Sequence, residues 1–101
     1  MILELADIQI DPDAAEEFEA AVAGAAPLFY ATLGCAGLLL HRSIEHPGRY
    51  VLMVRWQRLE DHMVTFRESP AFAEWRALAG PYFTSPPQMH HVDLVVGDAE
   101  G

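Results

Sequence analysis

Residues 49–75 read RYVLMVRWQRLEDHMVTFRESPAFAEW, and the fold turns on what this stretch requires of its neighbours. Arg49 to Gln57 has the β-branched and aromatic character of a strand, with Leu52 and Val54 on one face and Val51 and Met53 on the other. The turn signal His46-Pro47-Gly48 joins it to an earlier strand, Ala36 to Ile44, whose Leu38 and Leu40 oppose Leu39 in the same manner. A sheet covered by helices on one side alternates apolar with polar residues. Here both faces are apolar, so something must also bury the second one. The most economical cover is another copy of the chain, which predicts a homodimer through the sheet faces.

Downstream of the strand, Leu59, Met63 and Phe66 repeat at the period of a helix face. Ser69-Pro70 then marks the start of a further helix over Ala71 to Ala79, with Phe72, Trp75 and Ala79 on one side and Gly80-Pro81 as its stop. After Pro86-Pro87, Gln88 to Val96 reads as the last strand. At the other end, Ile2 to Ile10 is a strand with Ile2, Ala6, Ile8 and Ile10 on one face and Leu3 and Leu5 on the other. Asp11-Pro12 opens an amphipathic helix whose inner face is Ala14, Phe18, Ala21, Val22 and Ala25. Pro27 is expected to interrupt that helix, with Leu28 to Leu33 resuming as a separate turn that stops at Gly34. The order of strand, helix pair, strand, strand, helix pair, strand is the α+β, ferredoxin-like plan: a four-stranded antiparallel sheet with helices on one face. A single domain over residues 1–101 is expected, with 97–101 as a tail.

The formal net charge of −9 opposes binding to nucleic acid or to an anionic membrane, since both need clustered cations. Glu4, Asp7, Asp11, Asp13, Glu16, Glu17 and Glu19 crowd the first part of the chain and read as a solvated acidic face. Cys35 is the lone cysteine, which excludes an intrachain disulfide and suggests a reducing compartment and a small buried hydrophobe. Acids occupy the N-terminus where a secretory signal needs basic residues, and no apolar run approaches membrane-spanning length. A soluble cytoplasmic protein is expected.

Several stretches resemble the antibiotic biosynthesis monooxygenase (ABM) domain family, small proteins of the dimeric α+β barrel class. They are Leu33-Gly34-Cys35-Ala36-Gly37, Arg49-Tyr50-Val51-Leu52 running into Arg55-Trp56, Leu59-Glu60-Asp61-His62, and Phe66-Arg67-Glu68-Ser69-Pro70-Ala71-Phe72. The resemblance spans roughly residues 2–96. It implies a pocket between helices and sheet, and in some members oxidation of phenolic or quinol-like substrates by O₂ without metal, flavin or other cofactor. Haem-degrading relatives of the same barrel class carry an Asn, a Trp and an iron-binding His where Asp7, Phe66 and Arg76 stand here, so haem chemistry is not expected.

Such chemistry needs an apolar aromatic cavity, a proton acceptor and donors for developing charge. His62, with an ordinary pKa near 6.5, leads as the catalytic base, and a polar residue at the edge of a helix interface is its other reading. The family's helix histidine usually stands about one turn later, at Thr65 or Phe66. Trp75 is the second catalytic candidate, because its indole brings a donor. Trp56, Phe66, Phe72, Tyr82 and His91 are the candidate substrate-binding residues for a small aromatic ligand; core packing is the alternative for the aromatics. His91 and Asp93 share a strand face, so the pair could orient an imidazole for base duty or supply two metal ligands. Arg55 and Arg76 are read as surface ion pairs or as partners of an anionic oxygen. No ligand spacing for a metal and no Gly-rich nucleotide turn is present. The leading function is thus a cofactor-independent monooxygenase acting on a small phenol or quinol. The alternatives are an isomerase or lyase of the same barrel class, or a dimeric module that binds a small ligand without chemistry.

Overall fold

The elements are β1 (Ile2–Gln9), α1 (Ala15–Tyr30), β2 (Cys35–Arg42), β3 (Arg49–Trp56), a π-helical turn (Asp61–Phe66), α2 (Pro70–Ala79) and β4 (Gln88–Asp93), in a computed structural model that describes residues 1–97. The strands form one antiparallel sheet in the order β2-β3-β1-β4, the ferredoxin-like arrangement. β1 lies in the middle, pairing Glu4 with Val54 on one side and with His91 on the other.

Helices cover one face. Phe18, Val22, Ala25 and Phe29 form the buried stripe of α1, and Trp75 and Ala79 that of α2; they meet Ile8, Tyr50, Leu52, Val54 and Trp56 from the sheet. Asp11 accepts a bond from the Asp13 N–H (2.9 Å) ahead of α1, with Pro12 opening a short 3₁₀ turn as its residue type favours. The expected break at Pro27 does not occur: α1 is one helix of 16 residues with Pro27 inside it. Pro27 and Ala23, whose carbonyl the proline leaves without an intrahelical partner, are both exposed, so water can satisfy what the ring removes.

Two further boundaries differ from expectation. Leu59 and Met63 are 42% and 38% exposed and do not share an inner face with Phe66, because the residues that follow adopt π geometry rather than α. β4 ends at Asp93 rather than Val96, since Asp93 already pairs with Ile2 and β1 has nothing further to offer it. Residues 98–101, most of the expected tail, lie outside the described residues.

The uncovered face has the apolar character expected of it. Leu3, Leu5, Val51 and Met53 are half-buried there, and Leu39 is 61% exposed beside them. Near the end of β4, Ile2, Leu3, Val92, Leu94, Val95 and Val96 line a groove of about 370 Å³. No helix among the described residues is long and apolar enough to cross a membrane.

Candidate active site

The π-helical turn is held in place by its first residue. Asp61 is buried, and its carboxylate accepts the Arg58 backbone N–H (3.0 Å) and faces the Arg58 guanidinium at 3.3 Å. Gly34, with φ of +93°, lies so close to that carboxylate that a Cβ there would overlap it. The Arg67 N–H bonds to the His62 carbonyl (3.2 Å), five residues back, which widens the turn and carries both His62 and Phe66 inward.

His62 is 2% exposed, with its ring stacked on Trp56 at 5.3 Å and 15°. Its Nε2 lies 3.4 Å from Oε1 of Glu4, and its Nδ1 lies 2.8 Å from Nε2 of His91. On the far side of Glu4, the Trp56 Nε1–H donates to Oε1 (3.0 Å). Trp56, Glu4, His62 and His91 are therefore bonded in series from the core outward. No cluster of His, Cys, Asp and Glu among the described residues is placed to hold a metal ion.

Burial governs the charge of this chain of groups. It pushes the Glu4 carboxyl up to about 7, against the opposing pull of the Trp56 bond and the Arg67 charge. The same desolvation, with His91 and Arg67 nearby, brings His62 down to about 4. His91 is lowered too, by burial and then by Arg67 and His90. A carboxyl and an imidazole that both resist charging share a single proton near neutral pH. With the proton on Glu4, the acid donates to Nε2 of His62, and Nδ1–H of His62 donates to His91. With Glu4 ionised, both bonds reverse.

A cavity of about 90 Å³ opens beside Glu4 and His62, between sheet and helices. β1 supplies Glu4, Ala6 and Ile8, β3 supplies Leu52, and α1 supplies Phe29. Phe66 and Arg67 come from the end of the π turn, Phe72, Trp75 and Arg76 from α2, and Phe83, Pro87 and Met89 from the segment entering β4. Phe29 packs on Phe66 (4.7 Å) and edge-on to Trp75 (5.1 Å, 77°), and Phe66 meets Phe72 edge-on (5.6 Å, 84°), so the wall is a continuous set of rings.

The sequence profile of the antibiotic biosynthesis monooxygenases matches residues 1–78, from β1 through most of α2. The chain belongs to that family. A Bordetella bronchiseptica protein bearing the family's name is 50% identical, with a TM-score of 0.91 over 94% of this chain and 97% of its own. The uncharacterized Bacillus subtilis (strain 168) protein YczJ is 35% identical over 90% of this chain and 96% of YczJ. SnoaB from Streptomyces nogalater, a cofactor-independent oxygenase, shares the fold at a TM-score of 0.80 and 17% identity, over 95% of this chain and 94% of its own.

Within this antibiotic biosynthesis monooxygenase domain, His62, Phe66, Phe72 and Trp75 stand together around the cavity. His91 lies behind His62, bonded to it but outside the lining. Trp56 is fully buried behind the cavity, where it stacks on His62 and holds Glu4. Tyr82 packs against Phe18 (6.0 Å) and is not in the lining. Asp93 makes no bond to His91. Arg55 and Arg76 form no ion pair among the described residues: Arg55 reaches the Ala36 carbonyl (3.4 Å), and Arg76 lies over Phe72 (6.0 Å). Cys35 is half-buried against the core, where burial pushes its thiol up.

Glu4 corrects the picture of a wholly solvated acidic N-terminal stretch, since it is 4% exposed and belongs to the site. Its signal was present in the alternation of β1. Glu4 falls on the same face as Ile2, Ala6, Ile8 and Ile10, and a carboxylate on a covered face needs a partner.

Proposed function

We propose that this family member is a cofactor-independent monooxygenase that oxidises a small phenol or quinol with O₂ in the cavity between helices and sheet. The observation that carries this reading is the Glu4–His62 pair, a buried base of near-neutral pKa at the wall of a ring-lined cavity.

Ionised Glu4, paired with His62, takes the proton of the bound hydroxyl. The resulting aryl oxyanion is electron-rich enough to pass an electron to O₂. Recombination of the radical pair forms a ring C–O bond, and loss of water from the hydroperoxide leaves a carbonyl. Overall, a phenol and O₂ give a quinone and water. The abstracted proton is held along Glu4, His62 and the half-buried His91, and returns by the same route to the peroxide anion, giving the hydroperoxide that loses water. Trp75, in the cavity lining, is a donor for the substrate oxygen through its indole N–H, and Phe66 and Phe72 hold the ring.

The same reading includes a cytoplasmic homodimer formed through the uncovered sheet face. Leu39, Val51, Met53 and Val92 supply its apolar surface. Sedimentation at micromolar concentration gives a species near twice 11.2 kDa on this account, whereas an 11.2 kDa species alone contradicts it.

Oxygen uptake by metal-free protein with a panel of quinols and dihydroxynaphthalenes tests the reaction. Uptake above the protein-free rate is the expected result. Ligand binding without uptake contradicts the oxygenase and favours a binding module.

A further inference from the structure

We infer that the substrate of this cavity is a monocyclic hydroxyaryl carboxylate, its hydroxyl directed to Glu4 at the inner end and its carboxylate held by Arg67 and Arg76 at the mouth. The inference rests on the reading of the cavity as the substrate site, and adds the chemical class that fills it.

Three observations converge on this class. First, the cavity is chemically two-ended. Its lining includes buried Glu4 and His62, the exposed Arg67 and Arg76, and a set of aromatic rings. Arg67 and Arg76 flank Phe72, with their guanidinium carbons 5.9 Å and 6.0 Å from the ring centre.

Second, these two cations lack the partners that such residues normally find in an acidic chain. With 15 acids against 6 arginines, Arg42, Arg49 and Arg58 each pair with a carboxylate, and Arg55, away from the cavity, reaches the Ala36 carbonyl. Among the described residues Arg67 and Arg76 pair with none, although Glu68 and Glu74 are close in sequence. A guanidinium fork binds a planar carboxylate through paired N–H donors, and the cavity lining offers two such groups. The positive charge also reaches inward: Arg67 lowers the proton affinity of Glu4, His62 and His91.

Third, the volume limits the ring count. A space of about 90 Å³ is smaller than the roughly 150 Å³ cavity that takes up benzene in an engineered core. A single ring enters with a small displacement of half-exposed Phe72, and its charged substituent stays at the rim where the arginines are solvated.

Anaerobic calorimetry with 2,5-dihydroxybenzoate, its methyl ester and hydroquinone tests this without requiring turnover. The acid is expected to bind about tenfold or more tightly than the ester at low ionic strength, with the advantage shrinking as salt is added. The double variant Arg67→Gln, Arg76→Gln should lose that preference while keeping its affinity for hydroquinone, which also reports that it is folded. Equal binding of acid and ester, retention of the preference by the double variant, or no binding of the acid at millimolar concentration overturns the inference. Oxidation of hydroquinone with no carboxylate preference would leave the oxygenase standing and remove this class. Carboxylate-dependent binding with no oxygen uptake would do the reverse.

Discussion

Nε2 of His62 lies 3.4 Å from Oε1 of Glu4, and the two side chains are withdrawn almost completely from solvent. One comes from the central strand and the other from a π-helical turn, so the pair is brought together across 58 positions of sequence only by the fold. Trp56 joins them, donating to Glu4 and stacking on His62. The pair binds one proton over a broad range of pH, which makes it both a base and a feature of stability.

That shared proton sets a dependence of stability on pH. Taken alone, Glu4 keeps a proton in the folded chain between about 4.5 and 7 that the unfolded chain releases. Its contribution is therefore full below 4.5 and is lost as pH rises to 7. His62 resists a proton between 6.5 and about 4 that the unfolded chain accepts, so its contribution is present above 6.5 and lost as pH falls to 4. Together they cancel between about 4.5 and 6.5. Relative to wild type, Glu4→Gln should gain stability as pH rises through this window, and His62→Phe should lose it, each by about 1.4 kcal/mol per pH unit. Urea denaturation across the pH series measures both; curves parallel to wild type would refute the shared proton.

Trp56→Phe keeps an aromatic ring in the core but removes the donor to Glu4, whose bond pulls the carboxyl down. The Glu4 pKa then rises, and the pH–rate profile should move in the alkaline direction. Loss of the buried bond costs about 1–3 kcal/mol of stability. An unshifted profile in a folded Trp56→Phe protein would show that the indole does not tune the base.

Gly34 faces the carboxylate that anchors the π turn, at a φ that side chains rarely adopt. Gly34→Ala strains the backbone and drives its Cβ into Asp61, with an expected cost of about 1–3 kcal/mol and reduced oxygen uptake as His62 shifts. Gly97 also has positive φ, and among the described residues nothing lies within 4 Å of a Cβ there, so Gly97→Ala serves as the reference without a clash. Equal thermal stability of the two variants would mean that Asp61 does not depend on the gap at Gly34.

Much of the architecture is readable from local pattern. The alternation in Tyr50 to Trp56 and Leu38 to Leu40 sorts the two sheet faces as the structure does, and Ser69-Pro70 marks the start of α2. What local pattern misses depends on distant residues or on which side faces water. Pro27 leaves α1 continuous because its helix face is solvated, which the proline itself does not announce. Leu59 and Met63 turn outward because Asp61 and Gly34 hold a wider turn, so helical spacing selects the wrong inner set. Arg67 escapes notice, and Arg76 is read as a surface ion pair or a partner of an anionic oxygen, because the lack of acidic partners is a property of the folded surface. Glu4 is bonded to a tryptophan 52 residues away, and only its position on the covered face of β1 hints at that.

The most direct test of the account is the rate of oxygen uptake against pH for wild type and Glu4→Gln, with hydroquinone and 2,5-dihydroxybenzoate and with autoxidation subtracted. In wild type the rate should rise with an apparent pKa near 7 and then level off, as the carboxylate becomes available. In Glu4→Gln it should fall by about 10²- to 10⁴-fold and lose the inflection, while binding of 2,5-dihydroxybenzoate persists. A Gln variant that consumes oxygen at the wild-type rate with the same profile would contradict the assignment of Glu4 and His62 as the base.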